Sequence, residues 1–517
     1  MAADAERIRE LEGKLARVTH ERDEYRKLYE LVLMELERVR RHLRAQNKSE
    51  RVDPAQIQLA FSEVAGLILP PEMAAQLAEQ ENARAEDDKG GKQGGQPPSR
   101  PKPHGRAKLP EHLPVERIEL DPPEALLTCA CCGRTKHRMG EETSERLDWR
   151  PASLVRVVTA RGKFACSCEQ DGVVIADVPD SPVDKGLACA GLLAHVVVCK
   201  YEDHLPLHRL EGIFARLGVH ISRSTMTDWV AQVADLLRPI ADAMANVALS
   251  AHRIHADDTS IPVLGPDNKT HKGFMWVYIA DDDHVIFRYS SHRNGEAVRS
   301  VLTGFKGFLQ VDAATLYDRL FGHDKAKEVG CWAHARRRFF EAQVTDKQRA
   351  LIGLGFIKKL YEADRLAMKL PPSQRTLARR NRAGPVLEAF KRWLDAEELV
   401  VLPHTPIADA IGYTKNQWGA LSRFLDDARL KLDNNAAERT LRRVAVGRKN
   451  WMFAGSAQGA ERAAVLWTLL ASCKLHGIDP FAYLRDVLTR VGSHPARDVL
   501  ALSPKAWKQQ LQDAQAR

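Results

Sequence analysis

The sequence predicts a multidomain α/β protein. Three observations carry that prediction. At 517 residues the chain is longer than one hydrophobic core usually fills. A stretch from residue 253 to 311 rich in β-branched and aliphatic residues reads as strands, with helical patterning on both sides. A segment dense in Gly, Pro and charge, 86–108, separates an N-terminal helical region from everything after it. The 44% hydrophobic and 28% charged content is that of an ordinary globular chain.

From the N-terminus, residues 1–47 carry a heptad pattern. The a and d positions read Ile8, Leu11, Leu15, Val18, Arg22, Tyr25, Tyr29, Val32, Leu36, Val39 and Leu43. An apolar stripe of this length fits a coiled coil that pairs two chains, with an amphipathic helix folded on its own chain as the alternative. A helical segment over 48–85 and the linker over 86–108 follow. The net charge of +9 favours a polyanionic partner without deciding it. No apolar run reaches the roughly 18 residues of a membrane helix, and the first residues hold no apolar signal core, so neither membrane nor export is expected.

A zinc-ribbon-like module is expected over 109–180. Five of nine cysteines fall between Cys129 and Cys168. Cys129 and Cys132, followed by Gly133, form the knuckle that offers two thiolates to one tetrahedral zinc, and Cys166 with Cys168 complete the set. Four thiolates leave no open position, so such a Zn²⁺ is structural. Reduced cysteines in a small apolar core are the alternative. Residues 181–250 read as helical. Leu207 to Leu217, Gly218 and a second helix from Arg223 to about Val230 have the spacing of a helix-turn-helix, which would present Arg223, Ser224 and Thr227 outward. An ordinary αα-hairpin has the same spacing.

Residues 251–345 and 431–490 are read as the two parts of a catalytic core, divided by a helical insertion over 346–430 broken at Pro371, Pro372 and Pro385, with a C-terminal tail over 491–517. Phe274–Ile279 and Val285–Tyr289 flank an Asp-Asp-Asp-His turn, a hairpin signal. Asp257 lies in an extended run, Asp312 ends the apolar strand 308–311, and Glu438 sits on a helix that Asp433 or Asn434 can cap. Strand, hairpin, further strand and carboxylate-bearing helix are what a ribonuclease-H-like core supplies. Three converging carboxylates repel one another, and two Mg²⁺ (or Mn²⁺) ions roughly 3.5–4 Å apart relieve the repulsion. Taken singly, each acid reads rather as a surface residue or a salt-bridge partner, and Asp258 is an alternative to Asp257. Basic residues cluster at His334, Arg336, Arg337 and Arg338, and again at Arg439, Arg442, Arg443, Arg448 and Lys449. Asn450 and Trp451 follow the second set and add an amide and a stacking surface for a base. A solvated basic face fits the first set better than the second.

Four passages resemble transposases of the bacterial insertion sequence 66 family: Cys129-Ala-Cys-Cys-Gly133 with the later cysteines, Lys200-Tyr-Glu-Asp-His-Leu-Pro-Leu207, Cys331-Trp-Ala-His-Ala-Arg-Arg337, and Leu432 to Gly455. The resemblance implies a cytoplasmic, nucleoid-associated DDE enzyme. It implies binding of an element's terminal inverted repeats, metal-dependent strand cleavage, and transfer of the freed end into target DNA. The implied triad is Asp257, Asp312 and Glu438, and Cys331 with His334 match a C-x-x-H signature after the second aspartate. A homo-oligomer and companion proteins of the same element are further implied partners. Asp258 stands where the family usually has Glu, and Cys166-Ser167-Cys168 where it usually has C-x-x-C. A DNA-binding regulator without catalysis, and a nuclease that cuts without joining, are the rival readings.

Overall fold

The computed structural model describes residue 56 and residues 113–515, apart from 151–152, 166–172, 180 and 184–185. The expected coiled coil over 1–47 and the linker over 86–108 lie outside the described residues, as do Cys166 and Cys168. Of the helical segment over 48–85 only Gln56 is described, and it is helical. The chain divides into two compact units. One holds the described residues from 113 to Glu328 and from Asn434 onward, and the other holds Val329–Asp433 together with Gln56.

The larger unit opens with a small mixed sheet. Strands β1 (Val115–Leu120), β2 (His137–Arg150), β3 (Ser153–Ala165) and β4 (Val174–Ile175) assemble around β3. The β2–β3 hairpin is antiparallel and β1 joins β3 in parallel, burying Leu147, Val155, Val157 and Ala160. Helix α1 (Ala190–Tyr201) is apolar on all sides and is correspondingly buried. Its N-cap, Cys189, makes no side-chain cap; instead Asp148 from β2 accepts the Leu192 N–H at 3.1 Å. A carboxylate placed there also meets the positive end of the helix dipole.

Helices α2 (Leu207–Arg216) and α3 (Arg223–Ala248) form the expected helical pair. Gly218 turns the chain at φ +77°, a conformation that suits glycine. Ser222 caps α3 by accepting the Thr225 N–H. The second helix runs well past the expected end near Val230, through Pro239 to Ala248. An interior proline forfeits a backbone hydrogen bond at about 3 kcal/mol. Burial of Met226, Trp229, Val233, Leu237, Ile240 and Met244 at helical spacing offsets it.

The second sheet has the order β7-β6-β5-β8-β9, built from β5 (Arg253–Leu264), β6 (Thr270–Ala280), β7 (His284–Ser290), β8 (Phe308–Gln310) and β9 (Lys327–Val329), with helix α4 (Gly295–Leu302) between β7 and β8. β5, β6 and β7 are antiparallel, while β8 pairs with β5 in parallel. Asp281 and Asp282 take left-handed conformations in the expected hairpin turn.

The smaller unit is helical: α5 (Trp332–Ala342), α6 (Lys347–Met368), α7 (Pro372–Glu398), α8 (Pro406–Asn416) and α9 (Trp418–Ser422). Its core is aromatic, with Phe356 stacked on Phe390 at 4.7 Å and Trp332, Phe339 and Trp393 around them. Pro371 and Pro372 start α7, where a missing N–H costs nothing, but Pro385 does not break it as expected. Buried Phe390, Trp393 and Leu394 hold the helix through the proline.

The chain returns to the larger unit in α10 (Asn435–Trp451), α11 (Ala457–Leu475), α12 (Pro480–Arg490) and α13 (Pro504–Gln515). α11 closes the β7 edge with two buried hydroxyls. Thr468 accepts the Phe287 N–H at 2.8 Å, and Ser472 accepts the Val285 N–H at 3.0 Å and donates to the Val285 carbonyl. An open strand edge is thereby satisfied from a helix face. Replacing Thr468 with Val keeps the shape and strands a buried N–H, so thermal unfolding should register a loss of about 1–3 kcal/mol. An unchanged midpoint would show that the edge does not need this hydroxyl. No helix among the described residues is long and apolar enough to cross a membrane.

Candidate active site and nucleic-acid interface

Asp257 lies in the middle of β5, Asp312 two residues beyond the end of β8, and Glu438 in the first turn of α10. Because β8 runs parallel to β5 and α10 packs against β5, the fold carries three acids distant in sequence to one place. The electrostatics of Asp257 register the convergence. Burial, then the charges of Asp312, Asp258 and Glu438, push its carboxyl up to about 7, against one backbone hydrogen bond from Asp258 that lowers it. Four acidic side chains share this neighbourhood, and Arg293 bonds both oxygens of Asp258 at 2.9 Å. That pairing separates the adjacent aspartates, since Asp258 is matched by a guanidinium while Asp257 faces carboxylates.

Asn434 was expected as a possible cap of the Glu438 helix. It stands at the N-cap position but makes no side-chain cap. Its carboxamide reaches into β5 instead, meeting His255 Nδ1 at 3.0 Å and donating to the Ala256 carbonyl at 2.8 Å. Asn434 and His255 are both fully buried. The start of α10 is thus bonded to the residues immediately before Asp257. Ala313, directly after Asp312, has φ +65°, a left-handed conformation that a non-glycine residue adopts only where its surroundings impose it. The turn is bonded by the Ala314 N–H donating to Asp312 at 3.3 Å. Tyr317 is buried beside the acids, and burial followed by neighbouring negative charge holds its phenol protonated. Arg293 and Tyr317 escaped the sequence reading because no local spacing distinguishes them. Asn434 lay within a noted motif, but only the tertiary contact reveals its partner.

The knuckle is formed as its sequence suggests. Cys129 donates its N–H to the Arg134 carbonyl and its own carbonyl accepts from Gly133, both at 2.9 Å, with Gly133 at φ +66°. Cys129 is buried, Cys132 half-buried and Cys131 exposed, and all three are free of disulfides. Two thiols brought together on a turn of this geometry fit half of a tetrahedral zinc site.

Of the outward residues expected on the second helix of the pair, Arg223, Ser224 and Thr227 are all exposed. On α10, Arg439, Arg442 and Lys449 are exposed and make no ion pair among the described residues. Arg443 and Arg448 are engaged within the protein. Arg443 pairs with Glu202 at 2.6 Å, and Arg448 bonds Thr259 at 3.3 Å and the Ser260 carbonyl on β5. Asn450 donates to the Val446 carbonyl, and Trp451 lies half-buried with its ring 6.3 Å from that of Trp467. Within the separate helical unit, His334 and Arg336 are half-buried on α5 and Arg337 is exposed, while Arg338 stacks over Tyr413. Cys331 is the buried N-cap of the same helix.

Comparison with known proteins places the chain in a family. A model described as the transposase IS66 family matches residues 185–462. One for the zinc-finger binding domain of transposase IS66 matches 127–169, and one for the IS66 C-terminal element matches 468–504. A further model, transposase C of IS166 homeodomain, matches 35–118. Among curated proteins, the uncharacterized protein y4hP of Sinorhizobium fredii (strain NBRC 101917 / NGR234) is 33% identical over 92% of this chain and 88% of its own length. The uncharacterized protein y4jD of the same organism is 36% identical, covering 77% of this chain and 81% of its own.

Proposed function

The chain belongs to the IS66 transposase family, and from that premise we propose that it cuts and rejoins DNA at the ends of a mobile element. The observation that supports this reading is geometric: β8 paired in parallel with β5, and α10 packed on β5, bring the acids of three segments to one neighbourhood, where burial and the nearby charges raise the proton affinity of Asp257. Like charges gathered in a partly buried site are unfavourable unless a cation or a proton offsets them. Asp257, Asp312 and Glu438 would hold the ions, Mg²⁺ or Mn²⁺, in a core of ribonuclease-H-like type. When bound there, such ions would supply activation of an attacking water or 3′-hydroxyl oxygen and stabilisation of the leaving one. The protein's own groups do the rest. Arg293 pairs with Asp258 and so holds it apart from the other carboxylates, Tyr317 offers a proton that stays in place, and Asn434 holds the helix of Glu438 against β5. Exposed Arg223, Thr227, Arg442 and Lys449 supply cationic and hydroxyl contacts to phosphates. Terminal inverted repeats are the proposed DNA, and a pair of chains joined through the N-terminal heptads the proposed assembly. The test is a cleavage and strand-transfer assay on DNA carrying the element's ends, with Asp312→Asn as the discriminating variant.

Metal binding should depend on pH with a definite sign. Asp257 holds its proton more tightly folded than unfolded, so folding without metal is penalised progressively as pH rises from its unfolded value toward 7. A divalent ion needs the ionised form and must displace that proton below pH 7. Apparent Mn²⁺ affinity should fall about tenfold per pH unit below 7 and level off above it. Equal affinities by calorimetry at pH 5.5 and 7.5 would contradict this.

Cys129, Cys132, Cys166 and Cys168 are proposed to hold one structural Zn²⁺. Purified protein should contain zinc at about one ion per chain, and Cys129→Ser should lose it, the fold of a structural site depending on its metal. Elemental analysis reads both, and zinc-free wild-type protein would remove the site.

A further inference from the structure

Beside the acid cluster, the larger unit contains a pocket of about 270 Å³ that the proposed chemistry does not use. Its walls come from elements far apart in sequence: Lys200 and Tyr201 at the end of α1, Thr227 on the exposed row of α3, Trp451 at the end of α10 and Phe453 just after it. The aromatic wall is rigid. Ala454 is held to β5 by hydrogen bonds to Pro262 and Leu264 at 2.9 and 2.8 Å. Trp451 lies over Gly447, where an added Cβ would stand 2.8 Å from its Nε1. Phe453 remains 36% exposed on this fixed segment.

The remaining feature is an unmatched cation. Lys200 lines the pocket with its Nζ 5.5 Å above the Tyr201 ring, and it makes no hydrogen bond or ion pair among the described residues. The other cation of the pocket, Arg462, is committed to Asp235. Burial lowers the affinity of Lys200 for its own proton to about 8, the mark of a charge that an anion would relieve. Flat, rigid aromatic surface together with an uncompensated ammonium matches one nucleotide, with the base on the ring and the phosphate on the amine.

We propose that this pocket binds an unpaired nucleotide of the DNA strand beside the cleaved end, its base against Phe453 and Trp451 and its phosphate at Lys200. The inference rests on the proposed DNA-joining function. Ile261, which also lines the pocket, is four residues beyond Asp257 on β5, or about 13 Å at the rise of a strand. A strand leaving the acid cluster therefore reaches the pocket within a few nucleotides. Thr227 places the same pocket at the foot of the helix expected to meet DNA.

Three fluorescein-labelled probes test this by anisotropy on the full chain: a duplex with a short thymidine 3′-overhang, the same duplex with an abasic overhang of equal phosphate count, and a blunt duplex. The thymidine overhang should bind about tenfold tighter than the abasic one, on the scale of one stacked base. Phe453→Ala should abolish that difference and leave blunt-duplex binding unchanged. Lys200→Gln should weaken both overhang probes about tenfold and spare the blunt one. Equal binding of thymidine and abasic overhangs by the wild type, or equal loss on all three probes in Phe453→Ala, overturns the pocket while leaving the DNA-joining function standing. Failure of the wild type to bind any of the three DNAs overturns both.

Discussion

Asp312→Asn should abolish strand cleavage, by on the order of a thousandfold or more, while DNA binding stays within about twofold of wild type. The substitution preserves volume, and the amide oxygen can still accept from the Ala314 N–H that holds the turn after β8. What changes is one negative charge among four. If the site works by gathering carboxylates around divalent ions, losing that charge removes a ligand and leaves the remainder badly matched to the ions. A thousandfold loss corresponds to about 4 kcal/mol of transition-state stabilisation. A second reading comes from Asp257, whose proton affinity Asp312 helps to raise; in the variant it should titrate lower. Cleavage at the wild-type rate would place the chemistry elsewhere. Binding without any cleavage in the wild type would leave a DNA-binding regulator.

Asn434→Ala should lower both stability and cleavage, through a residue that touches no substrate in the proposed chemistry. Its carboxamide is fully buried, and alanine removes the bonds to His255 and the Ala256 carbonyl together. Loss of hydrogen bonding at buried groups on this scale costs on the order of 3 kcal/mol and should lower the unfolding midpoint by several degrees. Glu438 sits four residues along α10 from this brace, so its carboxylate should lose its fixed position relative to Asp257. Misplacement by about an ångström typically costs on the order of a hundredfold in rate. Cleavage should therefore fall by about that factor at temperatures well below the new midpoint, with DNA binding intact. A variant that melts earlier yet cleaves normally would show that other contacts position Glu438.

Much of the architecture was legible because short-range physics sets it. The β6–β7 hairpin follows from alternating apolar residues around an aspartate-rich turn, and the α2–α3 pair from an amphipathic stretch, Gly218 and the Ser222 cap. The knuckle at Cys129 follows from two thiols spaced across a turn that Gly133 permits. Element ends were less legible where burial outweighed a local penalty. Pro239 and Pro385 both stand inside helices, held there by buried apolar faces that no window of sequence weighs against the lost hydrogen bond.

By itself the sequence determined most of the strands and helices, the hairpin turn and the knuckle at Cys129 and Cys132, and it named Asp257, Asp312 and Glu438 as acids in suggestive places, because each of those judgements depends on neighbours along the chain. Only the tertiary structure decided which of two adjacent aspartates is matched by Arg293 and that Asn434 grips β5 rather than its own helix. It also decided that Thr227, Lys200 and Phe453 line one pocket. Those outcomes depend on parallel pairing of β8 with β5 and on α10 packing against that strand, contacts between residues far apart in sequence whose desolvation and charge exist only once the chain has folded.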